Sequence, residues 1–361
     1  MVVAYGTEIE KITYETLAAS DISRYLKADF SVAIKPNLVV PRPASDGATT
    51  HPEVVAGILR FLQDFGVAAG KISIVESSCI GDDTRHAFRA CGYEPLREKY
   101  GVSLFDLKED SCEKLEYGGV SMEICRRVLE TDFLINVPVL KSHCQTRLTC
   151  NMKNLKGCIP DKEKRRFHTI GLHKPIAALN ALVKTGYCVV DGICGDLTFE
   201  EGGNPFYANR VIAGRDPVTV DSFCAELIGY RPTDIEYLKI AQGWGLGEFF
   251  SPETSPITEL FADNKPATSL KNSTRLAARH EKSITQNSAC SACYAALIFA
   301  LHRTGGANTE ICIGQGFTGK TKANALGIGN CTCGFKNYVV GCPPKATDII
   351  DSLSKLLSKT R

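Results

Sequence analysis

Short apolar runs separated by amphipathic stretches dominate the first two thirds of the chain. SVAIK (31–35), KISIVE (71–76), VSLFDL (102–107), the run Phe133 to Leu140, YCVVD (187–191) and RVIAGRD (210–216) are strand-sized. They are apolar through most of their length, the pattern of strands covered on both faces. Between them apolar residues recur at helical spacing. Val54, Val55, Ile58, Leu59 and Leu62 follow Thr50-His51-Pro52-Glu53, which reads as a capping box with proline in the first turn, and the pattern stops at Gly66. Further helices are expected over 82–91, 174–183, 217–228 and 233–242, with Asp216-Pro217 opening the third of these. This alternation predicts an α/β fold, a mostly parallel sheet with helices on both faces.

From Phe250 to about Asn287 the periodicity fades and Ser, Thr, Pro, Asn and Lys dominate. The expected organisation is an α/β domain over 1–255, a linker over 256–287 and a smaller cysteine-rich α/β domain over 288–361. No apolar run approaches the ~20 residues of a membrane span. The N-terminus lacks a basic segment followed by an apolar one, so a cytoplasmic protein without membrane contact is expected. In a reducing compartment sixteen cysteines are buried small residues or metal ligands rather than disulfides.

Polar residues collect where the expected strands end: Lys35 and Asn37, Glu76 and Ser77, Lys141 and His143, Asp191, Asp216. Ligands of open parallel sheets bind at that carboxyl edge. Asp216 reads as a helix cap; the others point to a shared cleft. Charge sharpens this. Nine Lys and Arg lie between 141 and 174 against Asp161 and Glu163, a segment of +7 in a chain of +2, so the remainder is −5. A strand emptying into such a field points to a small anionic ligand. Lys35, Asn37, Lys141, Ser142, Lys153 and Asn154 are the expected binding residues, with Lys156 as a further anion-neutralising amine in the reacting set. His143 and His168 are candidate proton donors, since only imidazole titrates unaided near neutral pH. Asp191 would orient a histidine or bind a metal. The run Lys164-Arg165-Arg166, beside Asp161 and Glu163, reads as solvated surface. One aromatic, Phe167, in the basic stretch argues against nucleic acid.

The last quarter carries different chemistry. Cys290 and Cys293 form a CxxC at a helix start, Cys331 and Cys333 sit in a glycine-rich loop, and Cys342 precedes two prolines. Four soft ligands on rigid turns suit a [4Fe–4S] cluster, whose last cysteine is often followed by proline; they could equally hold structural zinc. Glycine-rich loops without paired CxxC knuckles favour iron–sulfur, with Cys290, Cys293, Cys331 and Cys342 as ligands and Cys333 as the substitute for Cys331. Cys312, inside the strand EICIG, reads as core. Gly314 to Thr321 satisfies GxxxxGK[ST], but Gly327 and Gly329 leave no room for the helix a phosphate loop needs, so no nucleotide is expected.

KPNLV, GATTHPEVV, NVPVLKSH, MKNLKGC, AGRDPVTVD and GLG, in this order over roughly residues 30–250, resemble the family of the domain of unknown function 362. The resemblance implies an iron–sulfur protein. Many members carry an eight-cysteine ferredoxin module; the GCPP-type end here departs from it and implies a single cluster. Lys156-Gly-Cys-Ile-Pro160 followed by His168 is also similar to a stretch of the nickel-pincer lactate racemase family, at shorter spacing. There the lysine holds the cofactor and the histidine serves the metal. The expected function is a redox enzyme whose cluster exchanges electrons with a small anion, served by a ferredoxin-like donor. The alternatives are a non-redox isomerase or lyase acting on a hydroxycarboxylate, with a metal or the cluster as Lewis acid, and a carrier or maturation protein without turnover. The oligomeric state, a homo-oligomer included, stays open.

Overall fold

The computed structural model describes residues 1–198, 200–267, 270, 279–307 and 309–358, with the side chains of 357 and 358 left aside. The chain forms two compact units, one of residues 1–164 and 173–272, the other of residues 165–172 and 273–361. Of the expected linker, residues 268, 269 and 271–278 lie outside the described residues.

The first unit is built on an eight-stranded sheet. In chain order its strands are β1 (Val2–Tyr5), β2 (Val32–Pro36), β3 (Ile72–Glu76), β4 (Ser103–Asp106), β7 (Phe133–Val137), β10 (Tyr187–Asp196), β11 (Pro205–Gly214) and β12 (Thr258–Leu260). Two hairpins stand outside it, β5 (Cys112–Tyr117) with β6 (Val120–Cys125), and β8 (Lys141–His143) with β9 (Arg147–Thr149). The strand order is β12-β1-β11-β10-β7-β2-β3-β4. Five of its seven neighbouring pairs are parallel; β11 runs antiparallel to both β1 and β10. The fold is the expected mostly parallel α/β sheet. Every residue of β2, β3 and β7 is buried, which is why these strands read as continuous apolar runs rather than alternation. The helix Pro52–Asp64 lays Val54, Val55, Ile58, Leu59 and Leu62 into a core shared with Ile34, Ile74 and Ile135.

Three local features differ from the expectation. The strand that begins YCVVD does not end at Asp191 but runs on to Asp196, and beyond Asp191 it pairs with β11 alone. His51, not Thr50, is the N-cap of the helix Pro52–Asp64; the Thr50 hydroxyl instead donates to Val137 O and accepts from Asn37 N. The β5–β6 hairpin turns on Gly118 and Gly119, whose φ of 58° and 74° suit a two-residue turn, a signal present in the sequence.

The second unit holds a four-stranded, all-parallel sheet in sequential order: β13 (Ile284–Gln286), β14 (Glu310–Ile313), β15 (Ala325–Ile328) and β16 (Asn337–Val339). The helices Ser291–Thr304 and Ala346–Ser358 accompany it. β14 and β15 each run straight into a glycine, Gly314 (φ 123°) and Gly329 (φ 85°), then a 3₁₀ turn. Only glycine takes such angles at no steric cost, so the chain turns sharply at the carboxyl edge of this sheet.

Candidate functional site

The carboxyl ends of β2, β3, β7 and β10 open onto the β8–β9 hairpin and the short helix Asn151–Asn154. Lys141, Lys153 and Glu200 meet there with His143. Lys141 is 1% exposed, and its Nζ donates to the carbonyls of Ala48 (2.6 Å) and Glu200 (2.8 Å). The Nδ1 of His143 accepts the backbone N–H groups of Gln145 (3.1 Å) and Thr146 (3.0 Å), which puts the imidazole proton on Nε2. That Nε2 lies 2.6 Å from Glu200 Oε2, close but off the line of a well-formed hydrogen bond. Lys153 Nζ reaches the same Oε2 at 2.8 Å and Thr149 Oγ1 at 3.3 Å. Lys156, half-buried on the next turn, has no hydrogen-bond or ion-pair partner among the described residues.

Burial governs the charges. It pulls Lys141 down to about 7 and Lys156 to about 8, with the neighbouring Lys153 ammonium adding to both shifts. It also takes His143 down to about 4, despite Glu200, so the imidazole is a neutral N–H donor at pH 7. Burial works against the Glu200 carboxylate as well, yet His143 and Lys153 hold it well below the ordinary value. The Glu200 carboxylate is thus paired with Lys153 and faces the His143 N–H, while Lys141 holds its backbone carbonyl and Lys156 stands nearby without a pair among the described residues; Asp196 and Glu201 add negative charge on the Lys141 side.

A second buried group stands beside it. Lys35 Nζ donates to Glu76 Oε2 (2.9 Å), Pro36 O (2.6 Å) and Asn154 Oδ1 (3.5 Å). Glu76 also accepts the N–H of Leu38 and, through Oε1, that of Ser77. Asn154 Nδ2 donates to Asn136 Oδ1 at 2.7 Å. Gly157 is where the chain passes over this pair: a Cβ there would overlap Glu76 Oε1 and Lys35 Nζ. Lys164 closes the group. Its Nζ donates to the carbonyls of Ser77 and Ser78 and to the Ser77 hydroxyl, and pairs with Asp161 at 3.1 Å. The expected solvated run is thus corrected at Lys164, which is 6% exposed because its stem has a polar socket to fill.

Asp191 is hydrogen-bonded to a histidine, His51. Its Oδ2 accepts both the backbone N–H (2.7 Å) and Nδ1 (2.8 Å) of His51, and its Oδ1 accepts Ile193 N–H. Burial opposes protonation of this imidazole, but Asp191 outweighs it and the pKa is raised. His51 was not among the expected site residues; the local pattern held no sign of a carboxylate 140 residues away.

The expected residues therefore divide. Lys141, His143, Lys153 and Lys156 come together around Glu200, which was not anticipated. His143 is corrected from a titrating proton donor to a neutral one, because it is fully enclosed. Lys35 and Asn154 are committed to Glu76 and Asn136 and leave no amine free for an anion. Asn37 is 7% exposed, and its Oδ1 has no partner among the described residues. The Ser142 hydroxyl donates across the hairpin to Arg147 O. His168 belongs to the second unit.

In the second unit, all at the carboxyl edge of its sheet, Cys290 and Cys293 follow β13, Cys331 and Cys333 follow β15, and Cys342 follows β16. Gln315 Nε2 donates to Cys290 Sγ at 3.4 Å. The Cys293 thiol is pushed up to about 12, by burial first and then by the charges of Cys290, Cys342 and Cys331. Cys333 does not enter that set. Among the described residues no three His, Cys, Asp or Glu side chains are drawn together as a finished metal site. The donor set still suits a cluster in kind: four thiols at one sheet edge, two at the start of the helix Ser291–Thr304 and two after β15 and β16. All sixteen cysteines are free thiols, and Cys312 packs with Phe317, Ala325 and Phe335. The segment Gly314–Thr321 makes a 3₁₀ turn at Gln315–Phe317 and passes into β15 without a helix, and Lys320 Nζ lies over the Phe317 ring.

A family model described as "Domain of unknown function (DUF362)" matches residues 32–226. Over 253 residues the chain is 24% identical to the "Thylakoid-associated protein sll1697" of Synechocystis sp., covering 67% of this chain and 78% of that one. Among solved structures it is similar to a lactate racemase apoprotein from Thermoanaerobacterium thermosaccharolyticum, at a TM-score of 0.43 and 12% identity; the match spans 63% of this chain and 57% of the racemase. No described helix is long and apolar enough to cross a membrane.

Proposed function

Because the chain belongs to the DUF362 family, a membership that brings no reaction with it, we propose its function from the site alone: it binds a small organic anion at the carboxyl edge of the large sheet and acts on it. The observation that carries this reading is the gathering of Lys141, Lys153, Lys156 and the His143 N–H around Glu200, whose carboxylate pairs, among these amines, with Lys153 alone. Buried amines cost free energy, and a fold keeps them where an anion is to be held. The finer reading is an iron–sulfur protein, with Cys290, Cys293, Cys331 and Cys342 as ligands. The shared electrostatics of these four thiols support the choice and leave Cys333 out. When bound, a [4Fe–4S] cluster supplies one-electron transfer, which makes an oxidoreductase the first functional class.

A specific feature favours a second reading. The Asp191–His51 dyad is built as a proton-transfer pair, with the carboxylate fixing the tautomer and leaving Nε2 as the working nitrogen. Isomerase or lyase chemistry on a hydroxy acid needs such a base and no electrons from outside. The two are separated by one experiment on anaerobically purified protein. Small organic anions are titrated calorimetrically, and the cluster's spectrum is followed after reduction. Reoxidation on adding the bound anion supports redox chemistry; binding with an unchanged spectrum supports the proton-transfer reading. If folded, iron-loaded protein binds no anion at all, the site assignment fails.

A further inference from the structure

Resting on that reading of the site, we infer that its ligand is a small carboxylate and that Glu200 holds the seat the ligand's own carboxylate takes. Glu200 is 14% exposed and belongs to the loop 197–204 that joins β10 to β11. This loop is fastened without it. Asp196 Oδ1 accepts from Thr198 N and Oγ1, Asp196 Oδ2 accepts from Asn204 N, and Gly203 N donates to Asp46 O. The Glu200 side chain makes contacts of another kind, to Lys153 and His143. Withdrawing that carboxylate breaks none of the bonds that hold the loop's ends.

What it would leave behind is a complete receptor for a carboxylate. One oxygen, Oε2, now faces an imidazole N–H and an ammonium at 2.6 and 2.8 Å. Lys156, beside them, has no partner of its own among the described residues. The seat already holds a flat, singly charged group, whose shape and charge another carboxylate reproduces and a tetrahedral, doubly charged phosphate does not. The exchange of one carboxylate for another conserves the local charge. Glu200 is therefore a built-in competitor: it keeps buried lysines compensated in the empty protein and sets a threshold the ligand must exceed.

The test compares wild type with Glu200→Ala and Glu200→Gln, titrating sodium acetate and inorganic phosphate at fixed ionic strength by calorimetry. Near-ultraviolet circular dichroism checks folding. Both variants should bind acetate at least tenfold more tightly than wild type, with phosphate gaining far less. Should the alanine variant misfold, the isosteric glutamine variant decides alone. Equal acetate affinity in folded wild type and variants overturns the stand-in role while leaving the anion site intact. A phosphate gain equal to that of acetate overturns the carboxylate class. Absence of any anion binding, wild type included, removes the site itself.

Discussion

The buried pair Lys35–Glu76 offers the sharpest energetic test. Both side chains are 3% exposed or less, and their charged atoms are 2.9 Å apart. Glu76→Gln preserves shape but leaves the Lys35 ammonium with neutral oxygens alone, the Pro36 carbonyl and the Asn154 amide oxygen among them. Breaking a buried pair from one side costs roughly 3–5 kcal/mol. Lys35→Met leaves the Glu76 carboxylate with the N–H groups of Leu38 and Ser77, so its cost should fall at the lower end, about 3 kcal/mol. The double variant removes both charges and should recover at least ~2 kcal/mol relative to the sum of the singles. Urea unfolding is followed through the single tryptophan, Trp244, which is half-buried against Tyr117 in the same unit (ring centroids 5.4 Å apart). Singles that each cost under ~1 kcal/mol, or a double equal to their sum, would falsify the claim that this pair is a coupled, desolvated unit.

Other expectations follow from the same structure. Lys141 is held at about 7 when folded against 10.5 when unfolded. The unfolded chain binds more protons between those values, so wild type should gain stability as pH rises from 7, by up to ~1.4 kcal/mol per unit relative to Lys141→Met. Chemical denaturation at pH 7.5 and 8.5 reads the difference, and parallel pH dependences of the two proteins would refute the burial argument. His51 should titrate above the ordinary histidine range by NMR, and Asp191→Asn should bring it down; an unmoved value would mean the dyad is not electrostatically joined. Iron and sulfide analysis should show loss on replacing Cys290, Cys293, Cys331 or Cys342 and none on replacing Cys312 or Cys333. Iron lost with Cys333→Ala but kept with Cys331→Ala would reverse the choice between them. Lys164→Ala should destabilise the protein, measurably by thermal unfolding, whereas Arg165→Ala, at an exposed position, should not.

Much of the frame was legible because burial leaves a mark on composition. β2, β3 and β7 are enclosed on both faces and spell apolar runs. The direction of β11 was not legible, since RVIAG suits a central strand of either sense. The site was half legible. A strand end gave away Lys141 and the basic run after it Lys153, but their depth contradicts the usual exposure of lysine and appears only when the acceptors are in place. Glu200 lay in TFEEGGN, a polar loop with no periodicity to mark one carboxylate from the next. His51 was passed over, because it stood inside a capping-box pattern, which is a sufficient local reason for a polar residue at a helix start. Lys164 was hidden in a charged run whose two arginines belong to the other unit.

The arm formed by β10 and β11 beyond Asp191 amounts to a ruler. Residues 192–196 and 205–210 pair with each other and with no parallel neighbour of β10, so the reach of the loop they carry is set by how many rungs the arm contains. Antiparallel strands advance about 3.4 Å per residue and alternate faces. Adding or removing two residues on each strand would move the Glu200 carboxylate by ~7 Å while keeping its side chain on the same face. Relatives that keep the same lysines could in this way accept longer or shorter molecules through a change in hairpin length alone.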